Sequence, residues 1–112
     1  MGMKTGTRFQ VQRVELLYFE GCPNWRAAAA DLSALQEEMG FELALSEVDS
    51  LETAIARDFR GSPTVLVNGT DPFADPAGEV GLSCRVYDTP AGRAGSPTRT
   101  QLRAAVVSAG RS

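Results

Sequence analysis

The stretch Val14-Glu15-Leu16-Leu17-Tyr18-Phe19-Glu20-Gly21-Cys22-Pro23-Asn24-Trp25 decides how this chain is read. It begins as an apolar run rich in β-formers, the pattern of a buried strand. Glu20 and Gly21 break the run and begin a turn. Pro23 suits the first position of a helix, where its missing N–H costs nothing. The helix continues through Trp25 and Arg26 to about Met39, with Gly40 as its stop. Cys22 therefore falls at the helix N-cap, on a strand-to-helix turn. Unpaired backbone N–H groups and the positive end of the dipole point there. Such a place favours a thiolate, and helix N-termini lower a thiol from near 8.5 to roughly 3.5–7.5.

Around that stretch, a length of 112 residues suits one domain with one core, with residues 1–8 as a loose N-terminus. A formal charge of −3 without a basic cluster argues against nucleic acid as a partner. No apolar run is long enough for a bilayer and no signal-peptide core is visible, so the cytoplasm is the expected location and no membrane partner is expected. Two cysteines do not make a disulfide scaffold, and in a reducing compartment such residues are more often catalytic, redox-active or metal-binding. Histidine is absent, which removes the usual general base and the usual metal ligand. Activation of Cys22 must then come from the helix terminus, backbone amides or a cation such as Arg26. No cofactor is implied.

Taken in order, Phe9 to Arg13 extends the first strand and the Cys22 turn follows. The first helix places Trp25, Ala28, Ala29, Leu32, Leu35, Gln36 and Met39 near one stripe, the pattern of a helix packed on a sheet. Phe41 to Val48 alternates apolar and polar, a second strand. Strand, helix and strand make a βαβ unit, so the two strands should be parallel neighbours. Asp49 or Ser50 caps a short helix with Ala54, Ile55 and Phe59 on its apolar side, ended by Gly61. Ser62-Pro63-Thr64 leads into the strand Val65-Leu66-Val67, and Asn68-Gly69 is a turn. Thr70 to Glu79 is a loop. Leu82 to Tyr87 alternates as a further strand, antiparallel to the last, and Thr89 to Gly95 is another loop. Ser96-Pro97 opens a final helix running to about Ala109.

This order of elements resembles the thioredoxin-like superfamily, with Cys22-Pro23 on the first strand–helix turn and Ser62-Pro63-Thr64 before the third strand. More narrowly, Gly21 to Trp25, Gly61 to Thr64, Asp71-Pro72-Phe73 and Gly81 to Arg85 look like a group of small bacterial thioredoxin-like proteins, some bearing the name alkylmercury lyase. The resemblance implies a three-layer α/β/α sandwich around a mixed sheet of about four strands. It implies that Pro63 is a cis-proline facing Cys22 and that Ser62 offers backbone hydrogen bonds to an extended peptide or thiol substrate. It groups Pro23, Asn24, Trp25, Ser62, Pro63 and Thr64 as substrate-binding residues beside Cys22.

The sequence also departs from that pattern. Trp25 stands where a second cysteine of Cys-x-x-Cys would be, and Leu16 where a buried acid would lie. Local dithiol chemistry is therefore ruled out. A monothiol mechanism through Cys22 remains, exchanging disulfides with a protein or a low-molecular-weight thiol. Cys84 is the one candidate resolving partner, and equally a core or edge thiol; a bridge needs Cα atoms within about 7 Å. Trp25 also reads as a packing residue that shields the motif. Asp71, Asp75 and Glu79 read as a solvated loop without hard-metal spacing, and Arg85, Arg93 and Arg99 as surface charges. A binding module that senses oxidants or captures a soft metal through thiolates is the alternative function. Organomercurial cleavage is a third, and it would need a proton donor that only Glu20 offers near Cys22.

Overall fold

The computed structural model describes residues 13–74 and 78–110. The expectations for Met1 to Gln12 and for Asp75 lie outside that range. Eight elements follow along the chain: β1 (Arg13–Tyr18), α1 (Trp25–Met39), β2 (Glu42–Glu47), α2 (Leu51–Ala56), β3 (Thr64–Val67), β4 (Tyr87–Thr89), β5 (Gly92–Ala94) and α3 (Arg99–Gly110). The protein is thus mixed α/β. Its main sheet has the order β2-β1-β3. β1 runs parallel to β2, pairing Val14 with Leu43 and Leu16 with Leu45, and antiparallel to β3, pairing Leu16 with Val65.

The strand period of two sorts β1 onto two faces. Val14 and Leu16 pack with Ala28, Leu32 and Leu35 of α1, Val65 and Val67 of β3, and Leu102 and Val106 of α3. Leu17 packs with Val48, Ala54 and Phe59 on the α2 side. The apolar stripe expected for α1 is the buried one, and the helix ends on Gly40 at φ 84°, a left-handed position that glycine takes without Cβ strain. Ser50 caps α2, accepting from the Thr53 N–H at 3.1 Å. Ile55, however, is 64% exposed rather than part of the core, and α2 stops at Ala56 instead of Gly61.

Glu15 shares the α2 side of the sheet. Burial acts to raise its pKa, but a hydrogen bond from Ser46 and the charges of Arg57 and Arg13 outweigh it, and the carboxyl is held below its ordinary value near 4.5. A lowered folded-state pKa stabilises the fold above the unfolded value, and that contribution is lost as pH falls through the folded value. Unfolding free energy measured from pH 7 to pH 3 should therefore fall less steeply in Glu15→Gln than in the wild type.

The C-terminal third differs most from the sequence reading. Among the described residues the main sheet has three strands, not four. Leu82 to Tyr87 forms no fourth strand; it touches the sheet region through one isolated bridge, Ser62 with Cys84, and that bridge is parallel. Tyr87 to Ala94, read in part as a loop, is instead a small hairpin of β4 and β5. The last helix begins at Arg99, and its start is set by Thr98: its hydroxyl accepts from Gln101 N–H while the Gln101 side chain accepts from Thr98 N–H. This reciprocal capping box displaces the Ser96-Pro97 start, because it satisfies two otherwise unpaired donors.

Candidate functional site

Cys22 and Cys84 are 62 residues apart in sequence and joined by a disulfide, with Cα atoms 5.7 Å apart. Two parts of the fold bring them together. Cys22 sits where β1 turns toward α1, its N–H bonded to the Phe19 carbonyl at 3.0 Å. The regular helix begins only at Trp25, with Asn24 as N-cap, so Cys22 precedes the cap rather than forming it. Pro23 lies in the tight turn ahead of the helix, its carbonyl accepting from Arg26 N–H at 3.1 Å. In place of the thiolate that the turn was expected to favour, Cys22 is a half-cystine that is 1% exposed.

The other part is the loop from Gly61 to Thr64. The Ser62-Pro63 peptide bond is cis, and the Ser62 carbonyl oxygen lies 3.9 Å from Cys22 Sγ. Ser62, Pro63 and Thr64 are all buried. The segment 83–85 covers them: Ser62 N–H donates to the Ser83 carbonyl at 2.8 Å, and Arg85 N–H donates to the Ser62 carbonyl at 2.9 Å. The backbone groups expected to receive a substrate strand are therefore occupied by the chain itself. Gly61 permits that approach. Its φ is 117°, and a Cβ there would meet the Arg85 Cβ at 2.9 Å. Gly61→Ala should lower stability by about 2 kcal/mol or more, through left-handed strain and the clash together, as read from the urea unfolding midpoint.

Arg85 is the residue that sequence reasoning missed. Taken as a surface charge, it is 8% exposed and buried beneath the segment it holds. Its guanidinium makes an ion pair with Asp71 at 2.7 Å, donates to the Phe73 carbonyl, lies 3.4 Å from Thr64 Oγ1, and stands 4.7 Å over the Tyr87 ring. Tyr87 in turn donates to the Pro63 carbonyl at 2.5 Å, and burial raises its pKa strongly. A charge this deep is tolerated because each face of it meets a carboxylate, a carbonyl or a ring. The signal present in the sequence was the alternation of Ser83, Arg85 and Tyr87. Apolar Val86, on the opposite side of that alternation, is 54% exposed.

The residues around Cys22 take packing roles. Trp25 stacks on Tyr18 with ring centroids 4.2 Å apart, and Arg26 lies 4.8 Å over the Trp25 ring while pairing with Glu20 at 3.4 Å. Arg26 and Glu20 thus engage each other at the surface. Asn24 packs against Gly95, where an added Cβ would come within 2.4 Å of the Asn24 amide. Arg93 is exposed beside Asp88, and Arg99 pairs with Asp31 at 2.9 Å. Cys84 is exposed and lines a shallow cavity of about 200 Å³ with Arg60, Ser83, Arg85 and Arg93. A cavity of about 620 Å³ lies elsewhere, between Glu15, Arg57, Asp58, Arg60 and Asp71, charges that largely pair with one another. Among the described residues no group of three or more acidic, cysteine or histidine side chains is placed to hold a metal ion, and no helix is long and apolar enough to cross a membrane.

Comparison of the chain with protein-family models, with curated proteins and with solved structures finds no match in any of the three.

Proposed function

We propose that this chain is a thioredoxin-like redox protein that exchanges thiols and disulfides through a Cys22–Cys84 pair. One observation carries the reading: the chain's two cysteines, distant in sequence, meet as a disulfide at the turn before α1 and against the cis Ser62-Pro63 loop. The missing Cys-x-x-Cys partner at Trp25 is thereby supplied from another segment. In this reading one cysteine of the pair resolves a mixed disulfide that would otherwise stay on the other. Reduction consumes two thiols of a donor, converts the pair to two cysteines, and gives the donor's disulfide; oxidation by a disulfide acceptor is the reverse. A low-molecular-weight thiol or a protein cysteine serves as partner, and cytoplasmic residence fits, since disulfides formed there are transient and catalytic. Organomercurial cleavage has less support, because Glu20, its one proton donor near Cys22, is tied to Arg26.

The test is electron transfer. Protein reduced with a dithiol and freed of it should reduce a small aromatic disulfide, releasing two thiols per chain and regaining its own disulfide. Cys22→Ser and Cys84→Ser should each stop after one. Release of two thiols from either single variant would refute the paired mechanism.

A further inference from the structure

The two cysteines of the pair are buried unequally, and the difference has a chemical consequence. Cys22 is 1% exposed, enclosed by the Ser62 carbonyl and by the segment that carries its partner. Cys84 is exposed and lines the cavity it shares with Arg60 and Arg93. Thiol–disulfide exchange needs the attacking thiolate to reach one sulfur of the bond, and access is one of the terms that sets which sulfur is attacked. Resting on the exchange reading above, we infer that Cys84, not Cys22, is the catalytic residue that meets external thiols, and that Cys22 is the internal partner that closes the bond.

An external thiolate attacks Cys84 Sγ, the Cys22–Cys84 bond breaks, and Cys22 leaves as the thiolate, giving a mixed disulfide on Cys84. A second external thiolate attacks the external sulfur of that mixed disulfide. It forms the donor's disulfide and releases Cys84 as a thiolate, and water or buffer returns the protons. In the opposite direction the Cys84 thiolate attacks an external disulfide and expels one thiolate. The Cys22 thiolate then attacks Cys84 Sγ, expels the second and restores the internal bond.

Both directions need Cys84 to stay beside Cys22 while the bond is open. The fold provides for this without the disulfide. The two backbone hydrogen bonds to Ser62 flank Cys84 on either side, and the next residue, Arg85, is held by Asp71, Phe73 and Tyr87. Segment 83–85 therefore remains seated on the Ser62 backbone on reduction, and Cys84 remains the more exposed cysteine of the two. Held in this way the internal thiolate competes with solvent thiols at high effective concentration.

The experiment uses oxidised wild-type protein in native buffer with glutathione. Samples are quenched with acid at early times, alkylated and mapped by mass spectrometry. The expected result is glutathione on Cys84 and the alkyl group on Cys22, by at least tenfold over the reverse. With a small aromatic disulfide, reduced Cys22→Ser should react through Cys84 at least tenfold faster than reduced Cys84→Ser reacts through Cys22. Glutathione found mainly on Cys22 would overturn the role assignment while leaving exchange by the pair intact. A bond that glutathione cannot open in the folded protein would overturn both. The wild-type mapping stands even where a single variant fails to fold.

Discussion

Reduction of the Cys22–Cys84 bond should lower the stability of the folded chain by about 4 kcal/mol. The magnitude follows from the loop of 62 residues that the bond closes: in the chain-entropy account, a loop of this size removes roughly that much freedom from the unfolded chain. For a domain of this length the corresponding fall in Tm is on the order of 15 °C or more. Domains of this kind hold about 5–15 kcal/mol in total, so the reduced protein should still fold at room temperature. Calorimetry with and without a dithiol reads the difference, and Cys22→Ala/Cys84→Ala should match the reduced wild type. An unchanged Tm would mean that the bond is absent in solution or that the unfolded chain is already constrained.

The second large effect is expected at Arg85. Arg85→Met keeps the length of the side chain but leaves Asp71 without its cation, the Phe73 carbonyl without a donor, and the Tyr87 ring without its charge. Removing one partner of a buried pair costs about 3–5 kcal/mol. Asp71 retains some exposure, which places the expected loss near the lower figure. Asp71→Asn should cost less than Arg85→Met, because Arg85 would keep its contacts with Phe73 and Tyr87. The loss should also show in the redox step: with segment 83–85 no longer anchored, the internal disulfide should re-form more slowly after reduction. Urea unfolding and stopped-flow reoxidation of Arg85→Met measure the two consequences. A variant as stable as wild type would show that Arg85 is not the anchor.

How much of this was legible beforehand depends on how local the cause is. The parallel pairing of β1 with β2 follows from a strand, a helix and a strand, each marked by its own period and by caps such as Gly40 and Ser50. The Asn68-Gly69 turn was equally plain. The segment from Gly81 to Arg85 was not, because nothing local decides its course. Its alternation predicts a strand, whereas the chain forms none there and buries Arg85 and Tyr87 while Val86 is exposed. That choice is made by Asp71 and the Phe73 carbonyl, more than ten residues away, and by the space that Gly61 leaves. Cys22 was recognisable as a candidate residue from its turn. Its burial was not, since it comes from segment 83–85 lying across the Ser62 backbone. The same absent information made Cys84 ambiguous: only the tertiary approach brings the two Cα atoms within bridging distance.

The central claim is that Cys22 and Cys84 are a reversible redox pair rather than a fixed cross-link. It is tested most directly by equilibrating the protein in a series of glutathione buffers and counting free thiols while following near-ultraviolet circular dichroism. The account predicts a single two-thiol transition, reached equally from the oxidised and reduced sides, with the native signal retained across it. A bond that stays closed at potentials down to about −300 mV, the range typical of structural disulfides, or that opens only as the native signal is lost, would contradict it.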